Sequence, residues 1–187
     1  MEEPVLPVLP SRTNYALAIL GKDAYASGTW ENVDWSQFDF VGVDAYRDAS
    51  NRQGYPATLK TLADHGLPVL VTEFGCAAYR GAAEAGGLAW TAVERTSRPP
   101  RLRAGIERDE AEQATEVGGL LALMETAGLE GAFIYTYIAP TYTSNTDPAY
   151  DLDTASYSLV RSWPDGRTEQ KAVYRAVADA YGARRQQ

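Results

Sequence analysis

Three apolar runs, Phe38–Asp44 (FDFVGVD), Pro68–Gly75 (PVLVTEFG) and Gly131–Ile138 (GAFIYTYI), leave few folds open to this chain. Each is rich in β-branched or aromatic residues and lacks a clean apolar/polar alternation, the pattern of a parallel strand covered on both faces. Helical patterns alternate with them. Ala57–His65 sets Leu59, Leu62 and Ala63 on one side and stops at Gly66, with Pro68 close behind. Asp109–Ala127 opens with Asp109 and Glu112 at capping-box spacing, spaces Ala114, Val117, Leu121 and Met124 helically, and ends at Gly128. Thr168–Tyr181 aligns Val173, Ala176, Val177, Ala180 and Tyr181 before Gly182. Strand and helix in alternation predict an α/β fold on a parallel sheet. A fourth, weaker strand falls at Ala16–Leu20 or at Asp23–Ser27.

The connections are lopsided. Helix-to-strand links are two or three residues long, whereas about 11 residues follow Asp44, over 30 follow Phe74 and nearly 30 follow Ile138. Loops of that length are usually functional. All three leave the carboxyl ends of parallel strands, where α/β proteins place their sites. At that rim stand Glu73, Asp44 with Tyr46, Arg47 and Asp48, and the exits Tyr135 and Tyr137. Carboxylates beside tyrosines suit a polyhydroxylated substrate: a carboxylate serves as nucleophile or base while phenols orient and stack on sugar. The competing expectation is structural, with Asp44 or Glu73 paired to Arg47 or Arg80 or capping a helix.

Composition closes other routes. The 187 residues fit one domain or little more, and 17 basic against 25 acidic side chains give a net charge of -8, which disfavours nucleic acid or an anionic membrane as partner. One cysteine, Cys76, and one histidine, His65, exclude an intrachain disulfide and a Cys/His zinc cage. The two flank one strand from opposite ends, roughly 20 Å apart at strand rise, so no Cys–His dyad forms. Cys76 is expected to be a small packed residue and His65 a helix C-terminal one. Asp147, Asp151 and Asp153 miss the EF-hand spacing and read as a solvated loop or helix-dipole partners. Gly81–Gly87 has neither a P-loop nor a dinucleotide fingerprint. Arg95, Arg98, Arg101, Arg103 and Arg108 cluster around Pro99-Pro100, either as a solvated loop paired with Glu94, Glu107 and Glu110, as a lid that grips an anionic substrate, or as a docking arm for a partner. No metal and no cofactor is expected. The start of the chain has no signal-peptide pattern, which makes the cytoplasm the default expectation.

Thr72-Glu73-Phe74-Gly75 at a strand end resembles the seventh strand of the clan A glycoside hydrolases. Gly42-Val43-Asp44-Ala45-Tyr46 resembles their sixth strand and Ala132-Phe133-Ile134-Tyr135-Thr136-Tyr137 their eighth. Val33-Asp34-Trp35, Asp44-Ala45-Tyr46-Arg47-Asp48, Phe74-Gly75-Cys76 and Tyr79-Arg80-Gly81-Ala82 are similar to bacterial proteins labelled abortive (phage) infection proteins. The likeness runs from about Tyr25 to Tyr181. It implies a partial TIM (β/α)8 barrel, about the C-terminal half with strands five to eight, over residues 13–182, between an extended lead-in (1–12) and a tail (183–187). It implies retaining glycoside hydrolysis with Glu73 as nucleophile and Asp44, Tyr46, Arg47, Tyr79, Arg80, Tyr135 and Tyr137 binding a glycan.

Two departures accompany the likeness. The acid/base glutamate of the family's fourth strand has no counterpart; Glu31 is the upstream carboxylate nearest to a substitute and reads better as a polar loop residue. Tyrosine replaces the tryptophan common at the eighth-strand exit. A half barrel exposes sheet edges and an unfilled interior, so the expectation is a second copy or a separate N-terminal half as partner, or a truncated reading of a longer gene. The alternative function is a non-catalytic carbohydrate-binding or phage-defence interaction protein on the same scaffold.

Overall fold

The computed structural model describes residues 16–19 and 22–183. The expected lead-in over 1–12, Leu20, and the tail beyond Ala183 lie outside the described residues. In chain order the elements are β1 (Ala16–Ile19), β2 (Lys22–Gly28), β3 (Phe40–Asp44), α1 (Tyr55–Ala63), β4 (Val69–Phe74) and α2 (Ala82–Ala85). A 3₁₀ segment (Gly86–Ala92) and the short pair β5 (Val93–Glu94) and β6 (Arg101–Leu102) come next. The chain continues through α3 (Glu110–Thr126), β7 (Gly131–Ile134), β8 (Val160–Ser162), β9 (Thr168–Gln170) and α4 (Ala172–Ala183).

β2, β3, β4 and β7 form a four-stranded parallel sheet in that order, with β1 added antiparallel to the edge of β2. Both alternatives for the weak strand therefore form, as a hairpin. Tyr55 and Leu59 of α1, Val117, Leu120, Leu121 and Met124 of α3, and Val173 and Val177 of α4 share one buried cluster with Val41, Val43, Val69, Val71 and Phe74. The helices thus form one layer on one face of the sheet. On the other face lie Gly42, Leu70, Thr72, Gly131 and Phe133; Leu70 and Phe133 stand outside the cluster, and Phe133 is 53% exposed. Among the described residues the apolar runs are covered on one face rather than two. Alternation is missing because apolar residues occupy the open face as well. Gly42 is required by a close approach: a Cβ there would strike the Tyr25 carbonyl oxygen.

Local chemistry accounts for the boundaries that differ. α1 starts at Tyr55, two residues earlier than the pattern predicts, because Pro56 fits the first turn, where no amide donor is needed. Asp109 caps α3 by accepting from the Glu112 amide at 2.9 Å. Glu112 does not complete the box; its carboxylate accepts instead from the amides of Gly81 (2.9 Å) and Ala83 (3.2 Å), which ties the start of α3 to α2. The predicted strand Gly131–Ile138 stops at Ile134, because residues 136–138 turn to the segment before β8: Thr136 donates to the Tyr157 carbonyl, and Tyr137 accepts from Leu159 and Val160. The predicted helix Thr168–Tyr181 starts only at Ala172, since Thr168–Gln170 pairs with Val160–Ser162 as β9 and the Glu110 carboxylate caps the Ala172 amide at 3.0 Å. The long connections after β4 and β7 carry structure of their own, the β5–β6 and β8–β9 hairpins and 3₁₀ turns.

Candidate functional site

The exits of β3 and β4 meet through a bulge. Val43 pairs with Val71, but Asp44 pairs with Glu73, so Thr72 is one residue in excess on β4. Such a bulge re-aims side chains at a strand end. Here it brings the Thr72 hydroxyl and the Glu73 carboxylate abreast, opposite Asp44. The Thr72 hydroxyl donates to Asp44 at 2.8 Å, and the Tyr46 hydroxyl donates to Glu73 at 3.3 Å.

Partial burial, seconded by the Asp44 charge, raises the Glu73 carboxyl above the usual carboxylate range, against the pull of the Tyr46 hydrogen bond. Burial likewise raises Asp44, with the Glu31 charge adding to it and the Thr72 hydrogen bond opposing. Tyr46 is pushed upward by burial and by Glu73, which keeps it a phenol that donates. Two neighbouring carboxyls raised by burial and by acidic neighbours are suited to share a proton. Glu31, expected as a loose polar residue, is pinned at the exit of β2: it accepts from the Tyr25 hydroxyl at 2.9 Å and the Gly28 amide at 2.7 Å.

Beside this pair opens a cleft of about 570 Å³, lined by Thr29, Trp30, Asp44, Tyr46, Asp48, Ser50, Asn51, Gly87 and Leu88. That size is ordinary for a small-molecule site. Trp30 (84% exposed) and Leu88 (64% exposed) present apolar surface at its mouth. Gly86 opens the 3₁₀ wall at φ 53°, and a Cβ there would lie 2.6 Å from the Arg47 carbonyl oxygen. The Asp48 carboxylate accepts from Ser50 and Asn51, and the Asn51 amide donates to the Tyr46 carbonyl at 2.9 Å, which fixes the loop carrying Tyr46.

The other expected binding residues separate into two groups. Tyr135 and Tyr137 are exposed at the rim; Tyr135 meets Tyr157 edge-on at 6.1 Å, and Tyr157 meets Tyr46 at 5.8 Å, linking the exits of β7 and β3. Arg47, Tyr79 and Arg80 are engaged elsewhere. The Arg47 guanidinium forks onto Glu116 of α3 at 2.8 and 2.7 Å, and neither Asp44 nor Glu73 takes an arginine among the described residues. Tyr79 is buried, its hydroxyl donating to the Ala89 carbonyl at 3.2 Å. Arg80 is exposed on Glu107 at 2.7 Å.

The aspartates are not solvated as expected. Asp151 and Asp153 are buried and hold Arg108 at 3.1 and 2.7 Å, and Lys171 lies 3.5 Å from Asp153. Burial pulls the Lys171 ammonium down to about 8. Asp147 alone acts as a cap, accepting from the Ala149 amide at 3.0 Å. Cys76 is buried, its thiol pushed up to about 12 chiefly by burial. Among the described residues no group of three or more His, Cys, Asp or Glu side chains could hold a metal ion.

Trp30, Leu88, Asn51 and Tyr157 escape the sequence reading. A tryptophan directly after a strand exit was the signal available for Trp30. Gln113 and Glu116, polar residues on the buried stripe of α3, were the signal for the Arg47 partner. Compared with known proteins, the chain matches no family model and no curated protein. No helix among the described residues is long and apolar enough to cross a membrane.

Proposed function

We propose that the carboxyl-end rim is a glycoside-hydrolase-like carbohydrate site, with Glu73 as nucleophile and Asp44 as the carboxyl that shuttles the proton. The observation that carries this reading is the Asp44–Glu73 pair, raised together at adjoining strand ends beside a cleft walled by Trp30 and Tyr46. Pairing of Asp44 with Glu73 on neighbouring strands, about 4.7–4.9 Å apart, supports carboxyls close enough to act on one substrate, as a retaining pair must. In the first step a Glu73 oxygen bonds to the anomeric carbon as the bond to the leaving oxygen breaks, and Asp44 gives that oxygen its proton. Water then displaces Glu73 and returns a proton to Asp44. Asp44 thereby stands in for the glutamate that clan A enzymes carry on their fourth strand.

The scaffold in this proposal is a segment of a (β/α)8 barrel. Sequential parallel strands with all helices on one side support it, since a doubly wound sheet carries helices on both faces. The antiparallel β1 occupies the edge where a preceding barrel strand would pair, a departure from that pattern.

A second reading, a glycan-binding or phage-defence interaction protein without catalysis, is favoured by one detail: Glu73 is not on the cleft wall, whereas Asp44 and Tyr46 are. Incubation with a panel of 2-fluoroglycosides and then peptide mass spectrometry separates the two. An adduct on Glu73, absent from Glu73→Gln, is the expected result. Saccharide binding with no adduct from any panel member would overturn the catalytic reading in favour of the second.

A further inference from the structure

The arginines of residues 95–108 divide sharply by partner. Arg108 is locked among Asp151, Asp153 and Glu110, and Arg101 lies on Glu94 at 2.9 Å. Arg95, Arg98 and Arg103 are exposed and pair with no carboxylate among the described residues. They are nonetheless held in place. The Arg95 guanidinium lies over the rings of Trp90 (5.6 Å) and Tyr142 (5.3 Å) and donates to the Tyr142 hydroxyl. Arg103 donates to the Thr91 carbonyl at 2.8 Å, and Arg98 to the Arg95 carbonyl at 3.0 Å. On a chain of net charge -8, this is an ordered cationic surface with an exposed indole beside it.

Its position relates it to the cleft. The 3₁₀ segment Gly86–Ala92 supplies Gly87 and Leu88 to the cleft wall, and Trp90 and the Thr91 carbonyl to the arginines. Seven residues of 3₁₀ helix span only ~14 Å, so a short oligosaccharide reaches from one to the other. The two ends differ in sign: Asp44 and Asp48 line the cleft, and guanidinium groups line the patch.

Resting on the carbohydrate reading above, we infer that the ligand is an acidic oligosaccharide whose uronic-acid carboxylate docks on Arg95 while a neutral sugar unit occupies the cleft. A guanidinium presents a planar fork that matches a carboxylate bidentately. One Arg95 nitrogen donates to Tyr142, and no carboxylate among the described residues pairs with the guanidinium. Trp90, 41% exposed, adds aromatic surface beside the guanidinium. A nucleic-acid strand fits less well, because its closely spaced phosphates would extend into the carboxylates of the cleft.

Titration calorimetry on the intact chain tests this with three probes: an alternating uronate–N-acetylhexosamine hexasaccharide, its carboxyl-reduced neutral counterpart, and a single-stranded oligonucleotide. The acidic hexasaccharide is expected to bind at least ~10-fold more tightly than the neutral one. Arg95→Gln should erase that difference and leave the neutral ligand unaffected, Arg95→Lys should restore only part of it, and Arg175→Gln on α4 should change nothing. Thermal melts of each variant identify any that fail to fold, and Trp90→Ala then serves as the second probe of the patch. Equal binding of both hexasaccharides, a preference for the oligonucleotide, or an undiminished preference in Arg95→Gln overturns the inference while the carbohydrate reading stands. Binding of neither saccharide overturns both.

Discussion

Glu116→Leu isolates the ion pair that anchors the β3 exit. Glu116 is 8% exposed and receives two charge-assisted hydrogen bonds from Arg47, itself 14% exposed, at 2.8 and 2.7 Å. Removing the carboxylate leaves the Arg47 guanidinium buried without a counter-charge, for which breaking one half of a buried pair costs about 3–5 kcal/mol. Arg52 also loses a contact of 3.4 Å, but it is 35% exposed and keeps Glu84 and the Ala83 carbonyl, so its share is small. At ~2–4 °C per kcal/mol for a chain of this size, the melting temperature should fall by roughly 6–20 °C. The double variant Arg47→Met/Glu116→Leu should recover most of the loss, because apolar side chains of similar volume replace the pair and no charge remains. Urea unfolding with unchanged m-values measures both. A single variant within ~1 kcal/mol of the parent, or a double variant as unstable as the single, would show that the pair does not anchor the β3 exit. The double variant should also still bind saccharide, since Arg47 serves α3 rather than the cleft.

Two further outcomes are expected. Lys171 has its folded pKa lowered to about 8 from 10.5, so the unfolded chain binds more protons than the native one between those values. Stability should therefore rise with pH across that window, by at most ~1.4 kcal/mol per unit, and Lys171→Met should abolish the rise in denaturant melts taken between pH 7.5 and 10. The open sheet face with Phe133 should draw two copies together: light scattering is expected to give twice the 20.4 kDa chain mass, reduced by Phe133→Asp. A monomer that unfolds cooperatively would contradict the partial-barrel proposal.

Much of the architecture was legible in the sequence because it is written locally. β3, β4 and α3 announce themselves as apolar runs or helical stripes bounded by turns and caps, and Asp44 and Glu73 stand where those runs end. The illegible parts depend on partners far away in the chain. Tyr135–Ile138 has strand composition throughout, but its hydrogen bonds go to residues 157–160 instead of β4. Thr168–Gln170 looks as helical as the α4 sequence beside it until β8 pairs with it. Arg47 and Glu116 are 69 residues apart, so the rim arginine reads as a ligand contact although α3 claims it. The bulge is equally silent, since a residue in excess alters register and not composition.

That bulge leaves an interior strand with slack. In an ordinary strand, deleting one residue turns every side chain beyond the cut to the opposite face. Without Thr72, the remaining sequence of β4 would place Val69, Val71 and Phe74 toward the helices and Leu70 and Glu73 away from them, the same sides they occupy now. The strand can therefore lose this position without inverting the faces of its exit. What it would lose is the hydroxyl on Asp44, so the fold tolerates a cut at the point where the carboxyl pair is tuned.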